Sequence, residues 1–213
     1  MELKDFYNHH KGETCLIVGV GPNLKLTPPE WFDYPSLSCN TIIKYQGWKP
    51  TYYVGVDERL RVENGAEIVE VYKDVPKFFP SPDWDELEGE NIYRFKHRTG
   101  ADLLAGGSPN TPDALTSKGI TYRRIMDAVI QIAWHMGFET MLMIGVQHKP
   151  NNPRVHFWGD DTGAIVEQPL THWFSGYQEL SRQVNILNIS ADTYVPDDVL
   201  PRDDFRNWRN VWL

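Results

Sequence analysis

Three stretches of this chain hold residues able to do chemistry. The first is Gly19-Val20-Gly21-Pro22-Asn23. Two glycines one residue apart let a backbone turn tightly and approach a phosphate or a ribose. The second is His156-Phe157-Trp158-Gly159-Asp160-Asp161. A histidine suits a general base near neutral pH, and a carboxylate beside it can orient the imidazole and raise its basicity. His148 and His172 are further histidines in the same half of the chain. The third is Asp57, at the end of TYYVGV. An acid there can hold Mg²⁺ on a nucleotide, bond a sugar hydroxyl, or simply cap the helix that follows. Lys118, Arg123 and Arg124 are cations that could meet a phosphate near a helix start, or could be solvated helix-face charges.

These groups must be positioned by regular elements, and the apolar pattern supplies them. Thr14–Val20, Ser36–Asn40, Thr51–Val56, Pro76–Phe79, Asn91–Lys96, Thr140–Val146 and Asn185–Ile189 read as short strands. Residues 58–72, Thr121–Met136 and Leu170–Gln183 read as helices, with Leu3–His10 a polar one. In Thr121–Met136 the apolar positions follow helical spacing, and Gly137 sits where a C-cap belongs. Gln147–Asp161 reads as a polar loop, 99–118 as a functional or partly disordered loop, and 191–213 as a C-terminal tail. Short apolar strands alternating with helices predict an α/β, Rossmann-like fold: a mostly parallel central sheet with helices on both faces, formed by one domain over 1–213. Ligands of such sheets bind at the carboxyl ends of the strands, at the switch point. That rule selects Gly19–Asn23, Asn40, Asp57, Gly145–His148 and Asn188–Ser190 as candidate site positions.

Composition narrows the function. The chain has 213 residues, 21 basic and 29 acidic side chains, and a net charge of −8, which argues against general nucleic-acid binding. No apolar run approaches the ~20 residues of a membrane helix, and Met1–Lys11 does not read as a signal peptide. Cys15 and Cys39 lie in apolar surroundings and read as buried thiols, so neither a disulfide framework nor a cysteine-rich zinc site is expected. A reducing cytoplasm is the natural compartment. The G-x-G-x-x-G frame of dinucleotide binders has Leu24 at its third glycine, and the second strand ends in Asn40 rather than an acid. No G-x-x-x-x-G-K-[ST] loop occurs. The 13% aromatic content fits either a well-filled core or a pocket that stacks a base or sugar. Phe157, Trp158, Trp173, Phe174 and Tyr177 are expected to form an aromatic wall beside His156.

Several stretches, taken in order, resemble a known superfamily. LIVGVGPNL (16–24) resembles the G-N-G-P-S-L strand and turn of Rossmann-like bacterial sialyltransferases. It is equally similar to the motility-accessory-factor and 6-hydroxymethylpterin pyrophosphokinase-like (MptE-like) family. SLSCN (36–40), KPTYYVGVDERL (49–60), residues 116–148, HFWGDD (156–161) and NILNIS (185–190) are similar to the elements that follow. The resemblance implies a nucleotide site made by Gly19, Gly21, Asn23, Asn40, Thr116, Ser117 and Gly119; the strand-end rule adds Pro22, Asp57 and Gly145, and the residue chemistry makes His156 and Asp160 the catalytic candidates. It implies a CMP-sugar donor, an unidentified acceptor and no required cofactor. The alternative is an MptE-like diphosphokinase using ATP and Mg²⁺, with Asp57, Asp160 and Asp161 around the metal. A third reading is a non-catalytic ligand-binding member of the same fold. It is motivated by three departures from the pattern: Val20 between the glycines, Gln147 for the usual Asp, and Asp160 at the base position; Asn23 for the usual Ser and Lys118 inside T-S-G are further departures. In the H-Y-x-G-H-like segment, His156 matches the first histidine and Asp160 stands at the base position. A homo-oligomer is compatible with the chain.

Overall fold

The computed structural model describes residues 2–98, 111, 115, 118–148, 155–160 and 170–210. Thr116, Ser117 and Asp161, together with nearly all of the 99–118 loop, lie outside the described residues. Asp160 is described by its backbone alone.

Seven strands form one sheet: β1 (Thr14–Val18), β2 (Ser36–Cys39), β3 (Tyr52–Val54), β4 (Lys77–Ser81), β5 (Ile92–Lys96), β6 (Thr140–Ile144) and β9 (Asn185–Asn188). Their spatial order is β5-β4-β3-β2-β1-β6-β9. Every neighbouring pair is parallel. The chain moves outward from β1 to β5, then returns to add β6 and β9 on the other side of β1. The β1/β6 boundary is therefore the switch point.

The strands are apolar because both faces of the sheet are covered. Alternate residues supply two separate cores. Cys15, Ile17, Met141 and Met143 face one, which is closed by α2 (Ile125–His135) and α3 (Leu170–Ser181). Leu16, Val18, Leu142 and Ile144 face the other, with Leu60 and Ile68 of α1 (Glu58–Val71) and Trp31, Phe205 and Trp208 of the connections and tail. The α/β, Rossmann-like expectation is met, with helices on both faces. Both cysteines are buried and unbridged, and burial pushes their thiols well above the usual range. Among the described residues, no helix is long and apolar enough to cross a membrane.

Several element expectations need correction. The Leu3–His10 helix is a 3-10 turn, Leu3–Phe6, followed by turns in which Asn8 takes a φ of 55°. The Thr121–Met136 helix begins only at Ile125, because Arg124 is extended at φ −143° and ψ 160°. Asp127 then closes the helix start: its Oδ2 accepts the backbone N–H of Arg123 at 3.0 Å and of Arg124 at 3.1 Å. The polar loop Gln147–Asp161 contains an antiparallel hairpin, β7 (Val155–His156) and β8 (Gly159–Asp160).

The sheet edges are partly closed by local chain. Ile120 bridges the β5 end at His97, and Arg202 bridges β9 at Asn188. Each extends the ladder by a short stretch and leaves less unpaired edge.

Candidate functional site

At the switch point the glycines of β1 and β6 meet backbone to backbone. The Gly19 amide donates to Ile144 O and the Gly21 amide to Gly145 O, each at 2.8 Å. A Cβ on Gly19 or on Gly21 would lie 2.6 Å from Gly145 O, and Gly145 itself has a φ of 68°. No side chain fits in that space. The two glycine N–H groups are therefore engaged within the protein. Pro22, which has no N–H, opens a five-residue 3-10 turn, Pro22–Leu26. This turn is built differently from a phosphate-cradling helix start, whose free N–H groups point at the ligand.

The polar side chains around the turn carry the site's unused hydrogen-bonding capacity. Asn23 is 1% exposed. Its Nδ2 donates to the Asp192 carbonyl, while its Oδ1 is buried without a partner among the described residues. That oxygen lies 2.9 Å from the place a Gly21 Cβ would occupy. Asn40, at the end of β2, adopts a φ of 51°, which an asparagine tolerates better than most residues. Its carbonyl accepts the Tyr53 hydroxyl at 2.7 Å, and its Oδ1 is likewise buried without a partner. An unpaired buried carbonyl costs about 1–3 kcal/mol, so two such oxygens at adjacent strand ends form a chemically specific feature.

The hairpin brings His156 to this region. The Phe157 amide donates to Val20 O at 3.0 Å, fastening the hairpin to the glycine turn. His156 stacks on Trp158, with ring centroids 4.2 Å apart and planes at 14°. Lys44 places its Nζ 4.8 Å from the Trp158 ring centroid, and Tyr45 meets Phe157 edge-on at 5.3 Å. Lys44 and Asn40 belong to the same 3-10 turn, Asn40–Lys44. The register pairs His156 with Gly159 and Val155 with Asp160, so His156 and Asp160 are not cross-strand partners.

Other candidates fall elsewhere. Asp57 is the N-cap of α1, its Oδ1 accepting the Arg59 amide at 2.9 Å. Gly119, with a φ of 84°, packs against Lys96 O beside β5. Four strand spacings, roughly 19 Å, separate β5 from β1. Arg123 donates to Ser175 Oγ at 2.5 Å and pairs with Glu179 at 3.5 Å. The α2 start already holds the Asp127 carboxylate, so the protein's own acid occupies the place proposed for a ligand phosphate. Among the described residues, no three His, Cys, Asp or Glu side chains converge as metal ligands.

The expected aromatic wall is divided between the two faces. Phe157 enters the core with Leu16 and Val18, whereas Phe174 and Tyr177 enter the opposite core. The hairpin carrying Phe157 and the helix α3 carrying Phe174 and Tyr177 pack on opposite faces of the sheet. His148 goes with the second set: its Nε2 meets the Tyr177 hydroxyl at 2.9 Å. Burial, aided by the Arg124 charge, holds this imidazole down to about 3. It is neutral near pH 7 and a weak proton acceptor.

Lys44 and Asp192 had no assigned role in the sequence reading, and Gln147 entered it only as a strand-end position standing for an expected acid. Lys44 sits beside the His156–Trp158 stack. Gln147 Nε2 donates to Asp192 Oδ2 at 2.6 Å. Asp192 thus places a carboxylate at the switch point where Gln147 stands for an expected acid. Only the strand-end rule pointed near them, since their approach depends on the path of the tail. Comparison with known proteins returns no matching family model, no matching curated protein and no matching solved structure.

Proposed function

We propose that this chain is a nucleotide-binding transferase, most specifically a CMP-sugar-dependent, sialyltransferase-like glycosyltransferase. The observation that carries this reading is a pair of amide oxygens, Asn23 Oδ1 in the turn after β1 and Asn40 Oδ1 at the end of β2, that are buried without a partner among the described residues. A carbonyl oxygen only accepts hydrogen bonds. Its complement is an amino or hydroxyl group, as offered by cytosine N4 and ribose, and not an ionised phosphate.

His156 is the proposed general base. It takes the acceptor hydroxyl's proton as that oxygen bonds to the anomeric carbon of the sugar. The bond to the phosphate oxygen breaks, and CMP leaves with the electron pair. Lys44 is the cation proposed to offset the charge on the departing phosphate.

Calorimetric titration with CMP, CDP, ATP with Mg²⁺, and GTP tests the reading. Saturable CMP binding without added metal is the expected result. Mg-dependent ATP binding without CMP binding would favour the diphosphokinase alternative. Failure of every cytidine nucleotide to bind at millimolar concentration overturns the proposal.

A further inference from the structure

At the carboxyl end of β9 the tail forms an open cleft of about 490 Å³, with Ser190, Asp197, Arg202, Asp204, Phe205 and Arg206 in its lining. Its size falls in the ~300–1,000 Å³ range of small-ligand sites. Its charges are largely matched internally. The Arg206 guanidinium holds Asp204, its Nε lying 2.8 Å and 2.9 Å from the two carboxylate oxygens. Asp203, also in the lining, accepts the Trp208 indole N–H and the Asn207 side-chain amide, each at 2.8 Å. Arg202 and Asp197 face each other at a loose 4.0 Å, with side chains 42% and 75% exposed. Phe205 stacks on Trp31, with the Arg206 guanidinium 6.0 Å from its ring centroid.

We infer that this cleft binds a neutral polyhydroxylated ligand, a sugar. Each hydroxyl of a sugar both donates and accepts. Arg202 and Asp197, at 4.0 Å too far apart to hydrogen-bond to each other, offer a guanidinium fork of donors and a carboxylate pair of acceptors to match. An anion is disfavoured, because three aspartates outnumber two arginines here and the whole chain carries −8. A cation meets acids that are mostly engaged already. The loose Arg202–Asp197 pair is where a sugar diol inserts with least disruption.

The cleft adjoins the nucleotide site through Ile189–Asp192. Ser190 and Ala191 line the cleft. Ala191 N donates to Thr27 Oγ1 at 3.0 Å, and the Asp192 carbonyl accepts Asn23 Nδ2. On the transferase reading, this places the cleft as the acceptor sugar's subsite. The sugar binding itself does not depend on that reading.

The test titrates the full chain with methyl glycosides of glucose, galactose and N-acetylglucosamine at tens of millimolar. The Trp208 indole N–H and the backbone amides of residues 189–191 are followed by NMR. Saturable shifts are expected with at least one glycoside. Its affinity should fall about tenfold in both Arg202→Gln and Asp197→Asn, which alter exposed side chains only. No saturable shift with any glycoside, or undiminished binding in both variants, overturns the inference. CMP titration runs in parallel. Glycoside binding without CMP binding supports the cleft and removes the nucleotide reading, whereas the converse removes the cleft alone.

Discussion

Gly21 donates its amide to the Gly145 carbonyl at 2.8 Å, tying the turn after β1 to the turn after β6 where the strand order reverses. The contact closes the base of the site and consumes a donor that a phosphate-binding turn would leave free. What remains for a ligand is a set of acceptors, Asn23 and Asn40, with His156 and Lys44 at one side. The site is complementary to donors first and to negative charge second.

The glycine contact predicts a large, local stability effect. Gly145→Ala forces a Cβ against the Gly19 backbone at a φ of 68°, at an expected cost of about 2–4 kcal/mol in denaturant unfolding. Gly47 also has positive φ, at 84°, but a Cβ there meets nothing within 4 Å. Gly47→Ala should therefore cost only about 1 kcal/mol. Equal losses for the two variants would show that backbone strain, and not the close approach, sets the requirement.

Asn40 can be tested without disturbing the backbone. Asn40→Gly keeps the φ of 51° accessible and removes only the side chain. Stability should change by less than about 1 kcal/mol, while CMP affinity drops about tenfold. Unchanged affinity by calorimetry would remove Asn40 from the site.

His156 is expected to act on the rate. His156→Gln should lower kcat for CMP-sugar turnover by about 10²–10⁴-fold and leave CMP affinity within about a factor of two. A loss of affinity with unchanged kcat would recast His156 as a stacking partner of Trp158 and Lys44.

His148 predicts a pH dependence of stability. Its folded value, about 3, lies below the ~6.5 of a free histidine. The unfolded chain takes up the proton first, so this contribution is intact above about pH 6.5 and is lost as pH falls toward 3. The slope for one such group is at most about 1.4 kcal/mol per pH unit. Urea midpoints between about pH 6 and 4 should fall more steeply for the native chain than for His148→Gln. Parallel curves would mean that the imidazole is not kept neutral by burial.

Much of the fold was legible in the sequence, for reasons particular to its elements. Strands β1 and β6 read as continuous apolar runs because both of their faces are covered. Gly137 marks the end of α2 with a φ of 91°, a conformation a glycine adopts freely. The errors came where a specific side-chain or tertiary contact outweighed the apolar pattern. Asp127 reaches back to two amides and keeps residues before Ile125 out of the helix. The β7–β8 hairpin has only two residues per strand and is held to the body through Phe157, so it carries little periodicity of its own.

The site shows the same division more sharply. By itself the sequence determined an α/β chain whose glycines, asparagines and acids end apolar strands, since strand burial and turn conformation are local constraints. Only the tertiary structure decided which of those ends meet. It joined Gly19 and Gly21 to Gly145, fastened Phe157, next to His156, to Val20, and drew Asp192 across to Asn23 and Gln147. It left Asp57 capping a helix and Gly119 beside the far strand β5. The physical reason is that neighbours in a parallel sheet are set by crossovers many residues long, and no spacing between adjacent residues encodes where such a crossover lands.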